Sequence, residues 1–205
     1  MNNKYVNTND NVNIVEISCR LVSAKKFESG AGFITGYVKN GTDVFPRIYC
    51  PKEVYKEFKK HSRIKVIGHI SSRVVRENGK FKRTQQIVAD SLELEQTLTE
   101  DYFGIKGKFF KDFTVSILLK GKLKSINRAS GWSKLVLNIP TKTNPNNTVI
   151  VNMKDIDRPI QYSVGDTICA VCGLSTPQKV INEKNVIYED IVVSDLAVEK
   201  AVEYA

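Results

Sequence analysis

Phe33, Thr35, Tyr37 and Lys39 fall on one parity of a short run whose other parity is Ile34, Gly36 and Val38. A few residues later Val44, Pro46, Ile48 and Cys50 alternate with Phe45, Arg47 and Tyr49. Successive side chains of a strand point to opposite faces. Aliphatic residues turned into a core would therefore leave Phe33, Tyr37, Phe45, Arg47 and Tyr49 together on an outer face. Rings gathered in water form a stacking surface for other flat π systems, and a guanidinium among them adds an anion site. The competing reading is a bulge that reverses the parity and turns the rings inward as ordinary core, the commoner fate of strand aromatics.

A second cluster lies in the run Arg73 to Arg83. Here Arg73, Arg76, Lys80, Lys82 and Arg83 stand against one acid, Glu77, with Phe81 among them. Asn78-Gly79 at its centre is a strong hairpin-turn signal, so these side chains are expected on a two-stranded arm, beside Lys25 and Lys26 at the end of the first strand. Cations that track phosphates, interleaved with rings that take bases, are the design of single-stranded nucleic-acid binding. A solvated charged hairpin is the bland alternative. The net charge of +9 falls as +6 in residues 1–100 and +3 in residues 101–205, which favours a polyanion partner. No apolar run approaches the ~20 residues of a membrane helix, so no membrane partner is expected.

Other chemistries find little support. Cys169 and Cys172 have the spacing of half a zinc site, but no second pair exists, and His61 and His69 lie far off in sequence. Their segment reads as a strand, where residues three apart point to opposite faces, so buried structural thiols are expected. No phosphate-binding loop, Ser/His/Asp or Cys/His arrangement or metal cluster appears, and Asp155 and Asp157 read as turn residues. Neither an enzyme nor a cofactor is expected.

These side chains need elements to hold them, and the chain writes those elements twice. Residues 87–95, Ile-Val-Ala-Asp-Ser-Leu-Glu-Leu-Glu, return as 191–199, Ile-Val-Val-Ser-Asp-Leu-Ala-Val-Glu. Arg20-Leu21 returns as Lys122-Leu123, Gly32-Phe33 as Gly131-Trp132, and Val66-Ile67-Gly68 as Val171-Cys172-Gly173. A domain-sized period predicts a tandem: a flexible N-terminus over 1–12, a first domain over 13–96, a connector over 97–114 and a second domain over 115–205. The connector's Phe103, Phe109 and Phe110 argue for packing against a barrel rather than a loose tether.

Alternation predicts strands over 14–27, 33–39, 44–50, 63–76 and 81–94, with a short helix in Pro51–Lys60, where Pro51 suits a first turn and Val54 and Phe58 form a narrow stripe. The second copy repeats the strands near 115–128, 132–140, 147–153, 165–181 and 185–198, with about one turn at Lys154–Pro159. Five strands with a short helix or turn between the third and fourth is the order of the OB-fold, so an all-β chain of two tandem five-stranded OB barrels is predicted. OB barrels bind across strands 2 and 3, where the first domain's rings fall. The second domain is paler. It offers Trp132 and Lys134 outward, Lys122, Lys124 and Arg128 nearby, no aromatic on its third strand, and only Lys179 and Lys184 on its hairpin, so the first domain is expected to dominate affinity.

The run Glu53-Val-Tyr-Lys-Glu-Phe-Lys-Lys-His-Ser-Arg-Ile-Lys-Val-Ile-Gly-His-Ile70, the basic hairpin and Thr84-Gln-Gln-Ile-Val-Ala-Asp90 resemble the second half of the bacterial single-stranded DNA-binding protein family. Arg20-Leu21 resembles that family's first strand. The resemblance covers the first copy well and the second loosely. It implies single-stranded DNA as the partner, work in replication, recombination and repair, and a cytoplasmic, nucleoid-associated place. Since family members usually assemble four barrels, a chain of two implies a homodimer. The acidic tail with a hydrophobic tip, by which the family recruits replication and recombination proteins, has no counterpart in Asp195-Leu-Ala-Val-Glu-Lys-Ala-Val-Glu-Tyr-Ala205. That departure, with many Asn, Lys and Ile residues, suits a phage, plasmid or mobile-element protein. The first ten residues show no apolar core of a secretory signal, in keeping with an intracellular place.

Two other readings stand beside this one. Gly30-Ala-Gly-Phe-Ile34 resembles the Gly-Phe-Gly-Phe-Ile run of cold-shock domains, which makes RNA a second candidate ligand. A tandem barrel could also serve as a protein-interaction scaffold in a replisome or conjugation machine, which predicts no salt-sensitive oligonucleotide binding.

Overall fold

The computed structural model describes residues 11–40, 42–77, 79–96, 113–155, 161–181, 184–187 and 189–200. The flexible start expected over 1–12 lies almost wholly outside the described residues, as do residues 97–112 with their three phenylalanines, residues 156–160 of the second copy's turn, and residues 201–205. Val12, inside the segment expected to be loose, is a strand residue paired with Lys120.

Among the described residues the chain forms thirteen strands and no helix. The first copy contributes β1 (Val12–Lys26), β2 (Gly32–Asn40), β3 (Thr42–Val44), β4 (Arg47–Cys50), β5 (Arg63–Glu77) and β6 (Lys80–Gln96). Pairings β1–β2, β2–β4, β4–β6, β6–β5 and β5–β1 close a ring in which β4–β6 alone is parallel. The second copy contributes β7 (Thr114–Ala129), β8 (Trp132–Asn138), β9 (Thr148–Lys154), β10 (Thr167–Ser175), β11 (Gln178–Ile181), β12 (Lys184–Ile187) and β13 (Asp190–Glu199). It closes the same way through β7–β8, β8–β9, β9–β13, β13–β10 and β10–β7, again with one parallel step, β9–β13. Two OB barrels result.

Period-two alternation produced this directly. Ile17, Leu21, Ile34, Ile48, Ile64, Ile70 and Leu92 are wholly buried in the first barrel, as are Ile117, Leu119, Leu123, Leu135 and Leu137 in the second. Each first strand must pair with two neighbours in turn, and each bends at a bulge in the same place, between Leu21 and Ser23 in β1 and between Leu123 and Ser125 in β7.

The segment expected as a short helix, Pro51–Lys60, is a single turn. The N–H groups of Val54 and Tyr55 both donate to the Pro51 carbonyl, at 3.0 and 2.8 Å, and the chain then runs on irregularly. Val54 and Phe58 still pack on the core, but two apolar residues give too little burial to hold so short a helix. The expected strand 44–50 is broken at Phe45-Pro46. Proline has no N–H to give a ladder, although its carbonyl accepts from Gly36 at 2.9 Å.

The barrels meet through β1 and β7, antiparallel from Val12↔Lys120 to Ser18↔Thr114. The repeat offset in these strands is 102, so the counterpart of Val15 is Ile117, and Val15 pairs with Ile117. An internal two-fold axis therefore passes through that pair, and the chain reproduces within itself the geometry of a symmetric dimer.

Each barrel also seats its β-arm on the other. From the first barrel, the Gln85 side chain accepts from the Ile150 N–H and donates to the Ile150 carbonyl (2.9 and 3.0 Å), the Ser72 hydroxyl accepts from the Thr148 N–H (3.1 Å), and Arg83 donates to the Thr148 hydroxyl. Asn147 accepts from the Ser72 N–H (2.7 Å) and donates to the Ile70 carbonyl (3.1 Å). From the second barrel, the Thr176 hydroxyl accepts from the Phe45 N–H (3.0 Å), and the Glu189 carboxylate accepts from the Arg47 N–H. Each arm thus satisfies donors of the other barrel's third strand that the ring leaves open.

Candidate nucleic-acid interface

The parity of the ring-bearing strands is the one that turns their aliphatic residues inward. Ile34, Val38, Val44, Ile48 and Cys50 are 0–2% exposed, whereas Phe33, Tyr37, Phe45 and Tyr49 are half-buried and Arg47 is exposed. Cross-strand register sorts the outer face into rows. Lys25, Phe33 and Tyr49 form one, Ser23, Thr35 and Arg47 the next, and Arg20 and Tyr37 a third beyond the β1 bulge.

The rings are packed together. Phe33 and Tyr49 meet edge to face at 5.5 Å between centroids, Phe27 meets Phe33 edge to face at 5.7 Å, and Tyr37 and Phe45 tilt together at 5.3 Å. The Arg47 guanidinium lies 4.2 Å from the Phe33 centroid and that of Arg20 5.1 Å from Tyr37. The Tyr37 hydroxyl donates to Asp43 at 2.8 Å. Partial burial, then this hydrogen bond and the Asp43 charge, raise its pKa.

Arg20, Phe27 and Tyr55 belong to this surface and were not singled out from the sequence. Arg20 shares the outward parity of β1, and Phe27 directly follows Lys25 and Lys26, so both were within reach of the same alternation. Tyr55 was not, because a turn brings it back: its ring lies on Gly32, where an added Cβ would come within 2.4 Å of it. Lys26 lies 5.9 Å from the Tyr55 centroid and pairs with Glu57 at 3.2 Å. The described neighbours of Lys25 and Lys26 are thus Phe33, Tyr55 and Glu57, not the basic hairpin.

The hairpin tip pairs Arg76 with Phe81 and Val75 with Lys82, and Gly79 takes the positive φ (76°) of a tight turn. Opposed residues share a face, so Arg76, Phe81, Val74 and Arg83 lie on one side and Arg73, Thr84, Val75 and Lys82 on the other. Phe81 is 79% exposed and Val74 58%. For Lys80 only the backbone is described. The base of this arm lies on the second barrel through Gln85 and Ser72, while the second barrel's arm borders the ring-bearing strand of the first.

The second barrel's face carries one ring on these strands. Trp132 is 44% exposed and stands opposite Lys154 and Ala129, and Lys134 stands opposite Asn127 and Asn152. Lys124 is exposed at the β7 bulge, and Arg128 lies 5.8 Å from the Tyr162 centroid. Where the first barrel sets Tyr37 across from Arg20, the second sets Asn138 across from Lys122. Lys179 and Lys184 lie on β11 and β12, of which only the backbone is described.

Cys169 and Cys172 face opposite sides of β10, the first half-buried and the second buried. Among the described residues no group of three or more His, Cys, Asp or Glu could hold a metal ion, and no helix is long and apolar enough to cross a membrane.

No protein-family model matches the sequence, and no curated protein sequence matches it. Solved structures do. The wild-type single-stranded DNA-binding protein from Thermus aquaticus is similar over 95% of this chain and 96% of that one, at 11% identity and a TM-score of 0.59. A deletion mutant of the same protein is similar over 95% and 97%, at 13% identity and a TM-score of 0.59. The likeness is one of architecture, and it spans both barrels. The chain has the tandem OB-barrel fold of that Thermus aquaticus single-stranded DNA-binding protein.

Proposed function

We propose that the chain binds single-stranded DNA with little sequence preference, by stacking bases and neutralising phosphates. The observation that carries this reading is the outer face of β2 and β4, where four half-buried rings share a surface with Arg47 and Arg20. Bases stack on Phe33 and Tyr49 and on Tyr37 and Phe45. Arg47 is exposed, and its cation–π contact with Phe33, worth about 0.5–1 kcal/mol, is weak enough to exchange for a phosphate. Lys25 and Lys26 flank the face. Arg73, Arg76, Lys80, Phe81, Lys82 and Arg83 extend the path along the arm, and Lys124, Arg128, Trp132 and Lys134 extend it onto the second barrel.

Stacking asks nothing of base identity, and phosphate contacts make affinity fall as salt rises. A protein of this kind serves wherever duplex is opened, in replication, recombination or repair, and we place it with a phage, plasmid or other mobile element on its Asn-, Lys- and Ile-rich sequence. Titration of fluorescent dT and rU oligomers of equal length at two salt concentrations tests the reading. Salt-sensitive binding of dT in preference to rU is expected. Preference for rU would make the ligand RNA, and indifference to both in dilute buffer would refute oligonucleotide binding.

A further inference from the structure

The proposed stacking face has a neighbour from the other barrel. We infer that Glu189, with Thr176, is a positioning residue of that face: the second barrel's arm holds the β3–β4 backbone of the first barrel, at Phe45 and Arg47, in the conformation that presents their side chains. The inference rests on the proposed DNA-binding role and names the part the second barrel plays in it. Phe45-Pro46 breaks the strand, and the parallel pairing with β6 covers Ile48 and Tyr49 but stops short of the Phe45 and Arg47 N–H groups. Those two donors go instead to the Thr176 hydroxyl and the Glu189 carboxylate.

The contact is built into the repeat. Gln85 and Glu189 are 104 residues apart, the same offset that separates Ile87 from Ile191. Corresponding positions thus reach across to the third strand of the opposite barrel, Gln85 to Ile150 and Glu189 to Arg47. The first copy uses a neutral amide there and the second an acid. Arg47 is the charged group facing Glu189 from β4, and Asp190, held by Asn152 at 3.3 Å, is its neighbour on β13. Burial pushes the Glu189 carboxyl up to about 7 against the opposing pull of the Arg47 N–H and charge. A group raised on docking takes up a proton as the arm seats. The seated arm is therefore strongest below the ordinary value of 4.5, and that extra stability is lost as the pH rises through about 7.

The test uses the full 15N-labelled chain and its E189Q and E189A variants, with amide spectra between pH 5 and pH 8 beside oligo-dT affinity at each pH. The Arg47 amide is expected to titrate near pH 7 in the wild type and to stay flat in E189Q. E189Q should keep wild-type affinity at the acid end and lose the wild type's decline across pH 7. E189A should bind roughly three- to tenfold more weakly, the worth of one hydrogen bond lost from the strand that carries Arg47. Rescue by glutamine is the outcome that a charge effect would not give, and the Arg47 amide separates the hydrogen bond from mere bulk. An Arg47 amide that ignores pH, or an E189A variant that binds oligo-dT as tightly as the wild type, overturns the inference. If the wild type binds no oligo-dT at all, the proposed function falls, and the Arg47 titration still decides whether Glu189 holds that strand.

Discussion

Removing Phe33 tests the stacking face where its parts are most concentrated. The ring touches Tyr49 at 5.5 Å, Phe27 at 5.7 Å and the Arg47 guanidinium at 4.2 Å, so F33A deletes a proposed base seat and the resting place of an arginine together. Stacking is worth about 1–3 kcal/mol per base, so F33A and Y49A should each weaken oligo-dT binding by about that amount, which would come to about 2–6 kcal/mol if the two simply added. The double variant should fall short of the sum of the singles by about 0.5–1.5 kcal/mol, because each single change already breaks the shared edge-to-face pair. Tenfold in affinity is about 1.4 kcal/mol, so fluorescence anisotropy of a labelled dT oligomer resolves every term. Rings carry no charge. The slope of log affinity against log salt should stay as in the wild type for F33A and Y49A, and drop by about 0.7 for R47A, one phosphate contact to a single strand. Since Phe33 and Tyr49 lie outside the wholly buried core, thermal unfolding should register little beyond the lost ring pair, about 0.5–1.5 kcal/mol, and a binding loss beyond that is separate from folding. Undiminished affinity in F33A/Y49A, or a loss matched by equal loss of stability, would refute the assignment of these rings to the ligand.

Three further outcomes follow from particular contacts. R76A/F81A should weaken oligo-dT binding more than R73A, because Arg76 and Phe81 lie opposite each other on one face of the arm while Arg73 lies on the other; equal losses in the same titration would mean that the DNA does not choose a face. Burial alone would raise the Glu95 carboxyl, but hydrogen bonds from Ser18 (2.7 Å) and Arg63 (2.8 Å), with the charges of Arg63 and Lys65, hold it below the ordinary 4.5. The unfolded chain then binds the proton more readily, so wild-type stability should fall as pH drops below about 4.5, and urea midpoints should show the gap between wild type and E95Q closing there rather than widening. Burial pushes the Cys19, Cys50 and Cys172 thiols up to about 12 and raises that of Cys169 less. A thiol reagent at pH 8 should therefore modify Cys169 first and all four only on unfolding; prompt reaction of two or more in the native protein would contradict their placement.

The outward placement of the rings was legible because one physical rule decides it. Ile34, Val38, Ile48 and Cys50 must all be buried, and a strand that buries them has no choice about where Phe33, Tyr37, Phe45, Arg47 and Tyr49 point. The turn at Pro51–Lys60 was less legible, because Val54 and Phe58 satisfy a helical stripe and a packed loop equally. Pro46 marked the break in the third strand, yet alternation on both sides hid it. The seating of the arms was not legible at all. Ser72, Gln85, Thr176 and Glu189 make their contacts with residues 65 to 142 positions away, and nothing in their local sequence distinguishes a polar residue that caps a distant strand from one that meets water.

The two-fold at Val15 and Ile117 explains why those distant contacts come in pairs. Once β1 and its repeat lie antiparallel about their own equivalent residues, whatever the first barrel does to the second is geometrically open to the second in return. Arm seating is therefore one interaction written twice, and divergence between the copies acts on both ends of it. Loss of aromatic residues from the second barrel's strands leaves the first barrel's face intact, but loss of its arm would not, because that arm supplies the acceptors for Phe45 and Arg47. The second barrel thus bears on the proposed face of the first through its arm as well as through any contact of its own with a ligand. A first barrel produced alone should bind oligo-dT more weakly than the full chain although its own face is unchanged, and restoring the second barrel with W132A in place should recover most of the difference.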